Sequence, residues 1–112
     1  MSPITTHILD TALGQPAADV GVQLEVMVTN EWQLVGSGRT DDDGRNKNLM
    51  AEGQLVAGTY RITFDTSGYY EARGEKSFYP EVRICFSVEN TDQHYHVPLL
   101  LSPYGYSTYR GS

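Results

Sequence analysis

Two of the three histidines in the chain, His94 and His96, stand two residues apart, and the third, His7, lies near the start of the sequence. Histidine is the side chain that gains and loses a proton near neutral pH, so such residues can act as general bases. In an extended strand, residues two apart project to the same side. The spacing therefore predicts that His94 and His96 lie side by side. Two ordinary, partly exposed strand histidines are the simpler interpretation of that spacing.

Metal ligation is a further interpretation of the three histidines, since a catalytic zinc site takes three protein ligands and leaves one position open. The third ligand would have to be His7. Neither a Cys-x-x-Cys nor a His-Glu-x-x-His motif accompanies the histidines, so the spacing is weak support for zinc.

Nucleophilic catalysis has little support. Cys85 lies in the middle of an alternating segment, on the side opposite the apolar face, which predicts a packed or surface thiol rather than a nucleophile. The chain has no Gly-x-Ser-x-Gly motif. The segment 36–38, Gly-Ser-Gly, is not followed by a helix signal, so it does not predict a phosphate-binding loop.

The elements that must position these residues read as short β-strands. Apolar and polar residues alternate with period two, the pattern of half-buried strands, in three segments: 20–29, 59–65 and 80–88. Further strands are predicted at 4–10, 31–38, 94–102 and 106–110. Residues 46–51 look irregular or weakly extended, and residues 69–73 are the single helix candidate. Seven or eight short strands with regular turn signals predict an antiparallel sandwich or barrel.

The strand at 94–102 departs from the usual pattern. One face is apolar and predicts a core contribution: Tyr95, Val97, Leu99 and Leu101. The other face is also half apolar: His94, His96, Pro98 and Leu100. A proline on such a face indicates an edge strand or a covered surface. Because exposed apolar patches often mark interfaces, we expect this face to contribute to an oligomer.

The residues directly before Arg45 form a polar loop. Residues 40–43 read Thr-Asp-Asp-Asp, and Gly44 follows, where a positive φ is expected. Arg45 stands directly after this turn.

Composition limits the classes of function. The 112 residues fit one domain, 1–112, and the single cysteine cannot form an internal disulfide. The formal net charge of −6, without a cluster of Lys or Arg, argues against nucleic acid as a partner. Neither a secretory signal nor an apolar run of membrane-spanning length is visible, so we expect no membrane association and a cytoplasmic location.

Several segments, in order, resemble the family of 5-hydroxyisourate hydrolases, which has the transthyretin fold. They are 4–17, ITTHILDTALGQPA; 40–45, TDDDGR; 78–82, FYPEV; and 94–112, HYHVPLLLSPYGYSTYRGS. The resemblance runs essentially from end to end. The terminal Tyr-Arg-Gly-Ser is the family's hallmark, and transthyretin, the hormone carrier of the same fold, lacks it together with the catalytic histidines.

The resemblance implies an all-β, prealbumin-like antiparallel β-sandwich of two four-stranded sheets with one short helix. It implies a homotetramer, a dimer of dimers, with active sites in a central channel. It further implies catalytic roles for His7, Arg45, His96 and Ser112, and substrate contacts by His7, Arg45, Tyr109 and Arg110. The family needs no metal and no organic cofactor.

The implied reaction is hydrolysis of 5-hydroxyisourate to 2-oxo-4-hydroxy-4-carboxy-5-ureidoimidazoline in urate catabolism. Water attacks a ring carbonyl, with histidine acid–base catalysis and stabilisation of the developing charge by arginine. The alternative function is that of a transthyretin-like carrier of a small hydrophobic ligand.

Overall fold

The computed structural model describes residues 2–112 and consists of two β-sheets with one short helix. The elements in chain order are β1 (Ile4–Asp10), β2 (Gln15–Pro16), β3 (Gly21–Val28), β4 (Glu31–Arg39), β5 (Arg45–Asn46), β6 (Gly58–Phe64), α1 (Thr66–Ala72), β7 (Val82–Val88), β8 (Tyr95–Ser102) and β9 (Gly105–Thr108). No helix among these elements is long and apolar enough to cross a membrane.

The order of strands in the first sheet is β2-β1-β8-β9, with β5 also paired to β1, and in the second it is β4-β3-β6-β7. The predicted β-sandwich with one short helix is confirmed, and the short strand β2 adds a fifth strand to the first sheet. One pairing differs from the antiparallel expectation, because β1 and β8 run parallel. In the sequence, all four strands of the second sheet come after β1 and before β8. Because no tight turn joins β1 to β8, the two strands are free to pair in parallel.

The core lies between the sheets and follows the predicted alternation. In β6, Tyr60, Ile62 and Phe64 are fully buried, and Val22 and Leu24 of β3 face them from the next strand. Full burial of such side chains stabilises the fold by about 1.5–3 kcal/mol each. The predicted core face of β8, from Tyr95 to Leu101, is buried as well. Val28 differs, since it lies at the end of β3 and is 45% exposed.

The interpretation of Pro98 as the mark of an edge strand is wrong, because β8 lies between β1 and β9. The pairing of β8 with β9 begins at Leu99 opposite Thr108. Beside Pro98, the side-chain hydroxyl of Thr108 donates to the Pro98 carbonyl at 2.7 Å. The missing N–H of the proline therefore falls just beyond the end of the β8–β9 ladder, where no ladder hydrogen bond is lost.

The helix begins earlier than predicted, at Thr66 instead of residue 69. Asp65, the residue after β6, caps it by accepting from the backbone N–H of Gly68 at 3.0 Å. The Tyr69 hydroxyl donates to the buried Asp10 carboxylate at 2.7 Å, which ties the helix to the end of β1. Burial and this carboxylate raise the pKa of Tyr69, so the phenol stays a donor.

The loop before Arg45 is held by a network around Asp41. One carboxylate oxygen accepts from the backbone N–H groups of Asp43 and Arg45, at 2.9 and 3.0 Å. Gly44 has a φ of 75°, as predicted, and its carbonyl accepts from the backbone N–H of Ile8 in β1 at 2.8 Å. The turn therefore fixes the position at which Arg45 meets β1. After Asn46 the chain is irregular as predicted, although Leu49 and Met50 are buried.

We predict that Gly44→Ala destabilises the fold by more than the ~1–2 kcal/mol that a left-handed non-glycine residue costs. An added Cβ would lie 2.5 Å from the Ile8 carbonyl oxygen, in addition to the unfavourable φ. Gly74→Ala is the matched control, because its φ is 69° and a Cβ there meets nothing within 4 Å. Urea unfolding measures both losses. Equal losses in the two variants would show that the close approach to β1 is unimportant.

Candidate active site

Strand register brings the predicted residues together. In the parallel pair of β1 and β8, Thr5 lies opposite His96 and His7 lies opposite Pro98. On the other edge of β1, Arg45 of β5 lies opposite His7. The rings of His7 and His96 stack with centroids 6.5 Å apart. Residues from three distant parts of the sequence therefore form one site.

A cavity of about 170 Å³ opens beside the stacked histidines. The residues that line it have polar or cationic side chains: Thr5, Thr6, Arg45, Lys47, His94, His96 and Ser112. The hydroxyl of Thr5 contacts Nδ1 of His96 at 2.8 Å and Nε2 of His94 at 3.1 Å. We call this cavity the histidine pocket. Of the four predicted catalytic residues, Arg45, His96 and Ser112 line it, and the ring of His7 stacks on the ring of His96.

The last residues reach the pocket because Gly111 can pass very close to His96. The backbone N–H of Gly111 donates to the His96 carbonyl at 2.9 Å. A Cβ on Gly111 would lie 2.5 Å from Cδ2 of the His96 ring, so a side chain there would collide with the imidazole. This contact leads the chain to Ser112 at the pocket wall.

The pKa values of both pocket histidines are shifted downwards. For His96 the largest cause is burial, and the charges of Arg45, His7 and His94 add to it, while the backbone carbonyl of Thr5 opposes the shift as an acceptor. For His7, burial again comes first and Arg45 second, opposed by the backbone carbonyl of Asp43 and the charges of Asp41 and Asp43. Both shifts favour the neutral imidazole, which is the form that can act as a base.

Two unpaired cations face the same pocket. Four arginines of the chain form ion pairs with carboxylates: Arg39, Arg61, Arg73 and Arg83. Among residues 2–112, neither Arg45 nor Lys47 has a carboxylate oxygen within 4 Å. The nearby Asp41 uses its oxygen on backbone N–H groups, and these hydrogen bonds, first that of Arg45, lower its pKa. An anionic or carbonyl-rich ligand would match this positive charge.

Tyr109 and Arg110 lie outside the histidine pocket. The Arg110 guanidinium stacks 4.5 Å above the Tyr95 ring and donates to Gln93 Oε1 at 2.9 Å. Tyr109 is 58% exposed. Both line a second cavity, of about 210 Å³, which also includes His96. Their predicted contact with a substrate stays a prediction.

Four pocket residues were not assigned a role from the sequence: Thr5, Thr6, Lys47 and His94. Thr5 stands two residues before His7 and Lys47 two residues after Arg45, so strand parity alone places each on the same side as a predicted residue. The role of His94 was open, and its contact with Thr5 now joins it to the pocket. The alternation of side chains along a strand was therefore the only available indication for Thr5 and Lys47. It could not show which strands are neighbours.

Cys85 and the zinc hypothesis can be judged from the same geometry. The thiol of Cys85 is exposed, as its position in the alternation predicted. Within the described part of the chain, no three His, Cys, Asp or Glu side chains come together so that they could hold a metal ion. The three histidines thus do not form a three-ligand zinc site in this arrangement.

Over nearly its whole length, the chain is similar to proteins of one family. The sequence model of the HIUase/Transthyretin family matches residues 4–111. A 5-hydroxyisourate hydrolase of Caulobacter vibrioides is 49% identical over 116 aligned residues, which cover all of both chains.

Two solved structures share the fold. The 5-hydroxyisourate hydrolase of Klebsiella pneumoniae aligns with a TM-score of 0.85 at 34% identity, covering 97% of this chain and 98% of that one. Sea bream transthyretin in complex with thyroxine aligns with a TM-score of 0.92 at 33% identity, covering 97% and 94%. The family match over nearly the whole chain, together with these relatives, shows that this chain belongs to the HIUase/transthyretin family.

Proposed function

We propose that this chain is an enzyme that hydrolyses 5-hydroxyisourate. The observation that carries the proposal is the pocket in which His96, stacked on His7, lies with the guanidinium of Arg45, while burial and the Arg45 charge lower the pKa of both imidazoles. This is a base beside a positive charge, the combination that hydrolysis of a cyclic amide requires. The Caulobacter relative, which carries the name of this hydrolase, supports the choice of substrate.

In the proposed reaction, a water oxygen attacks a ring carbonyl while an imidazole takes one water proton. The amide C–N bond then breaks, the nitrogen receives a proton, and the carbonyl carbon ends as a carboxylate. The product is 2-oxo-4-hydroxy-4-carboxy-5-ureidoimidazoline. Because Nδ1 of His96 contacts Thr5, its Nε2 is the nitrogen free to face water. His7, stacked on His96, is the second candidate for moving the proton.

Arg45 has two tasks in this proposal. Its forked N–H donors match the carbonyl edge of a flat, urate-like ring. Its charge stabilises the oxyanion that develops during attack and then the product carboxylate. Lys47 adds positive charge at the same wall, and the Ser112 hydroxyl supplies a hydrogen bond. The proposed reaction needs these groups of the chain and no cofactor.

We further propose the homotetramer, a dimer of dimers. Support comes from exposed apolar side chains at the end of the first sheet where the β1–β2 and β8–β9 turns meet: Leu13, 46% exposed, Tyr104, 76%, and Tyr106, 41%. Leu100 on the outer face of β8 is half-buried. Light scattering measures the mass in solution. A single domain over 1–112 and a cytoplasmic location stay predictions.

The carrier function has one point in its favour, which is the likeness to transthyretin in complex with thyroxine. The shape is common to both functions, however, whereas the histidine pocket is lined by residues with polar or cationic side chains. Ultraviolet spectroscopy of freshly prepared 5-hydroxyisourate separates the two functions. We expect faster loss of its absorption band with the protein present and build-up of the hydrolysis product. Decay at the spontaneous rate with folded protein would favour the carrier.

We predict that His96→Ala and Arg45→Ala each lower turnover of 5-hydroxyisourate at least ~100-fold, the lower range for losing a general base or an oxyanion donor. Arg83→Ala is the control, because this exposed arginine pairs with Glu81 on the other sheet and lies outside the pocket. Turnover near that of the wild type in either pocket variant, with the fold intact, would remove that residue from the mechanism.

Gly111→Ala tests whether the close approach of the last residues to His96 matters. The added methyl group would collide with the imidazole, so we expect a displaced terminal segment or ring and at least ~10-fold lower kcat. The control is Gly105→Ala, where the nearest atom to a Cβ is Ser102 Oγ at 3.7 Å. Equal kcat values for both variants and the wild type would mean that the terminal segment does not need this path.

A further inference from the structure

One hydroxyl group joins two histidines at the pocket wall. Thr5 is only 6% exposed, and its Oγ1 lies 2.8 Å from His96 Nδ1 and 3.1 Å from His94 Nε2. The two rings are nearly parallel, with centroids 6.4 Å apart. His94 is exposed to solvent, whereas His96 is partly buried. Thr5 therefore connects the candidate base to a histidine at the surface.

The chemistry of a hydroxyl restricts how this contact can be protonated. A hydroxyl has one hydrogen and two lone pairs, so Thr5 can donate to at most one of the two rings and must accept from any ring to which it does not donate. A neutral imidazole has one N–H and one free lone pair, and the hydrogen bond at one nitrogen decides the state of the other. The direction of the Thr5 hydrogen bonds consequently sets which nitrogen of His96 is the base.

The surroundings favour one of the two directions. The backbone carbonyl of Thr5 acts to raise the pKa of His96, which is the effect of an acceptor close to the ring. A carbonyl accepts and never donates, so it favours an N–H on the ring edge that faces Thr5, where Nδ1 lies 2.8 Å from Oγ1. The hydroxyl hydrogen is then free to point to Nε2 of His94, which lies within hydrogen-bonding distance.

We propose that Thr5 is a positioning residue: its hydroxyl accepts from Nδ1–H of His96 and donates to Nε2 of His94, which leaves Nε2 of His96 unprotonated toward the pocket. This inference rests on the proposed function, because it assigns a tautomer to the base of that reaction. It also gives His94 a role, as the acceptor that keeps the hydroxyl turned away from His96. Neither residue needs to touch the substrate.

The test compares Thr5→Val, which removes the hydroxyl at nearly constant volume, with Thr5→Ser, which keeps it. We expect Thr5→Val to lower kcat at least ~10-fold with little change in KM, and Thr5→Ser to restore most of the rate. Long-range ¹H–¹⁵N spectra of the His96 ring report the tautomer directly. They should show Nδ1–H in the wild type and in Thr5→Ser, and a mixture of tautomers in Thr5→Val.

Two further variants, Thr11→Val and His94→Phe, complete the comparison with Thr5→Val. Thr11→Val removes a hydroxyl that donates to Leu101 at the far end of the same strand pair, so it should change neither kcat nor the His96 spectra. His94→Phe removes the acceptor at an exposed position without touching the buried strand, and should give a partial loss of kcat and a partial mixture of tautomers.

Three outcomes would overturn the inference: an unchanged tautomer in Thr5→Val, an unchanged kcat in Thr5→Val, or Thr5→Ser as slow as Thr5→Val. Failure of the proposed function would look different. In that case the wild type would not accelerate decay of 5-hydroxyisourate, whatever the tautomer of His96.

Discussion

The parallel pairing of β1 with β8 is the constraint on which the site depends. It sets Thr5 opposite His96 and His7 opposite Pro98, while the other edge of β1 receives Arg45. A slip of one residue would turn every side chain of β1 to the opposite face. The buried Ile4 and Ile8 oppose such a slip, because it would exchange their core positions with those of polar neighbours. Core packing and assembly of the pocket therefore have the same origin.

Charge gives this geometry its chemical character. The chain carries a net charge of −6, yet Arg45 and Lys47 line the pocket without a carboxylate partner among residues 2–112. Burial and the Arg45 charge lower the pKa of both His7 and His96. One set of groups thus keeps the bases neutral and supplies the positive charge that an oxyanion needs. The turn around Asp41 and Gly44 holds Arg45 in place for both effects.

Local patterns in the sequence predicted much of the fold, since period-two burial in β6 and the positive φ of Gly44 depend on near neighbours. The parallel partner of β1 could not be read in this way, because β8 lies more than 80 residues further along the chain. The bridging role of Thr5 depends on the same long-range pairing, whereas the stacking of Arg110 on Tyr95 follows from the hairpin of β8 and β9. For this reason the sequence supplied a list of candidate residues, and register decided which of them meet.

The pH dependence of kcat/KM for 5-hydroxyisourate hydrolysis tests the central claim most directly, because it reports the pKa of the essential base in the free enzyme. A base must be unprotonated, so the rate should fall as the pH drops through its pKa. Since burial and Arg45 lower the pKa of His7 and His96 from 6.5, we expect this fall below pH 6.5. A fall centred above pH 6.5, or a rate independent of pH down to acid unfolding, would contradict catalysis by these two neutral histidines.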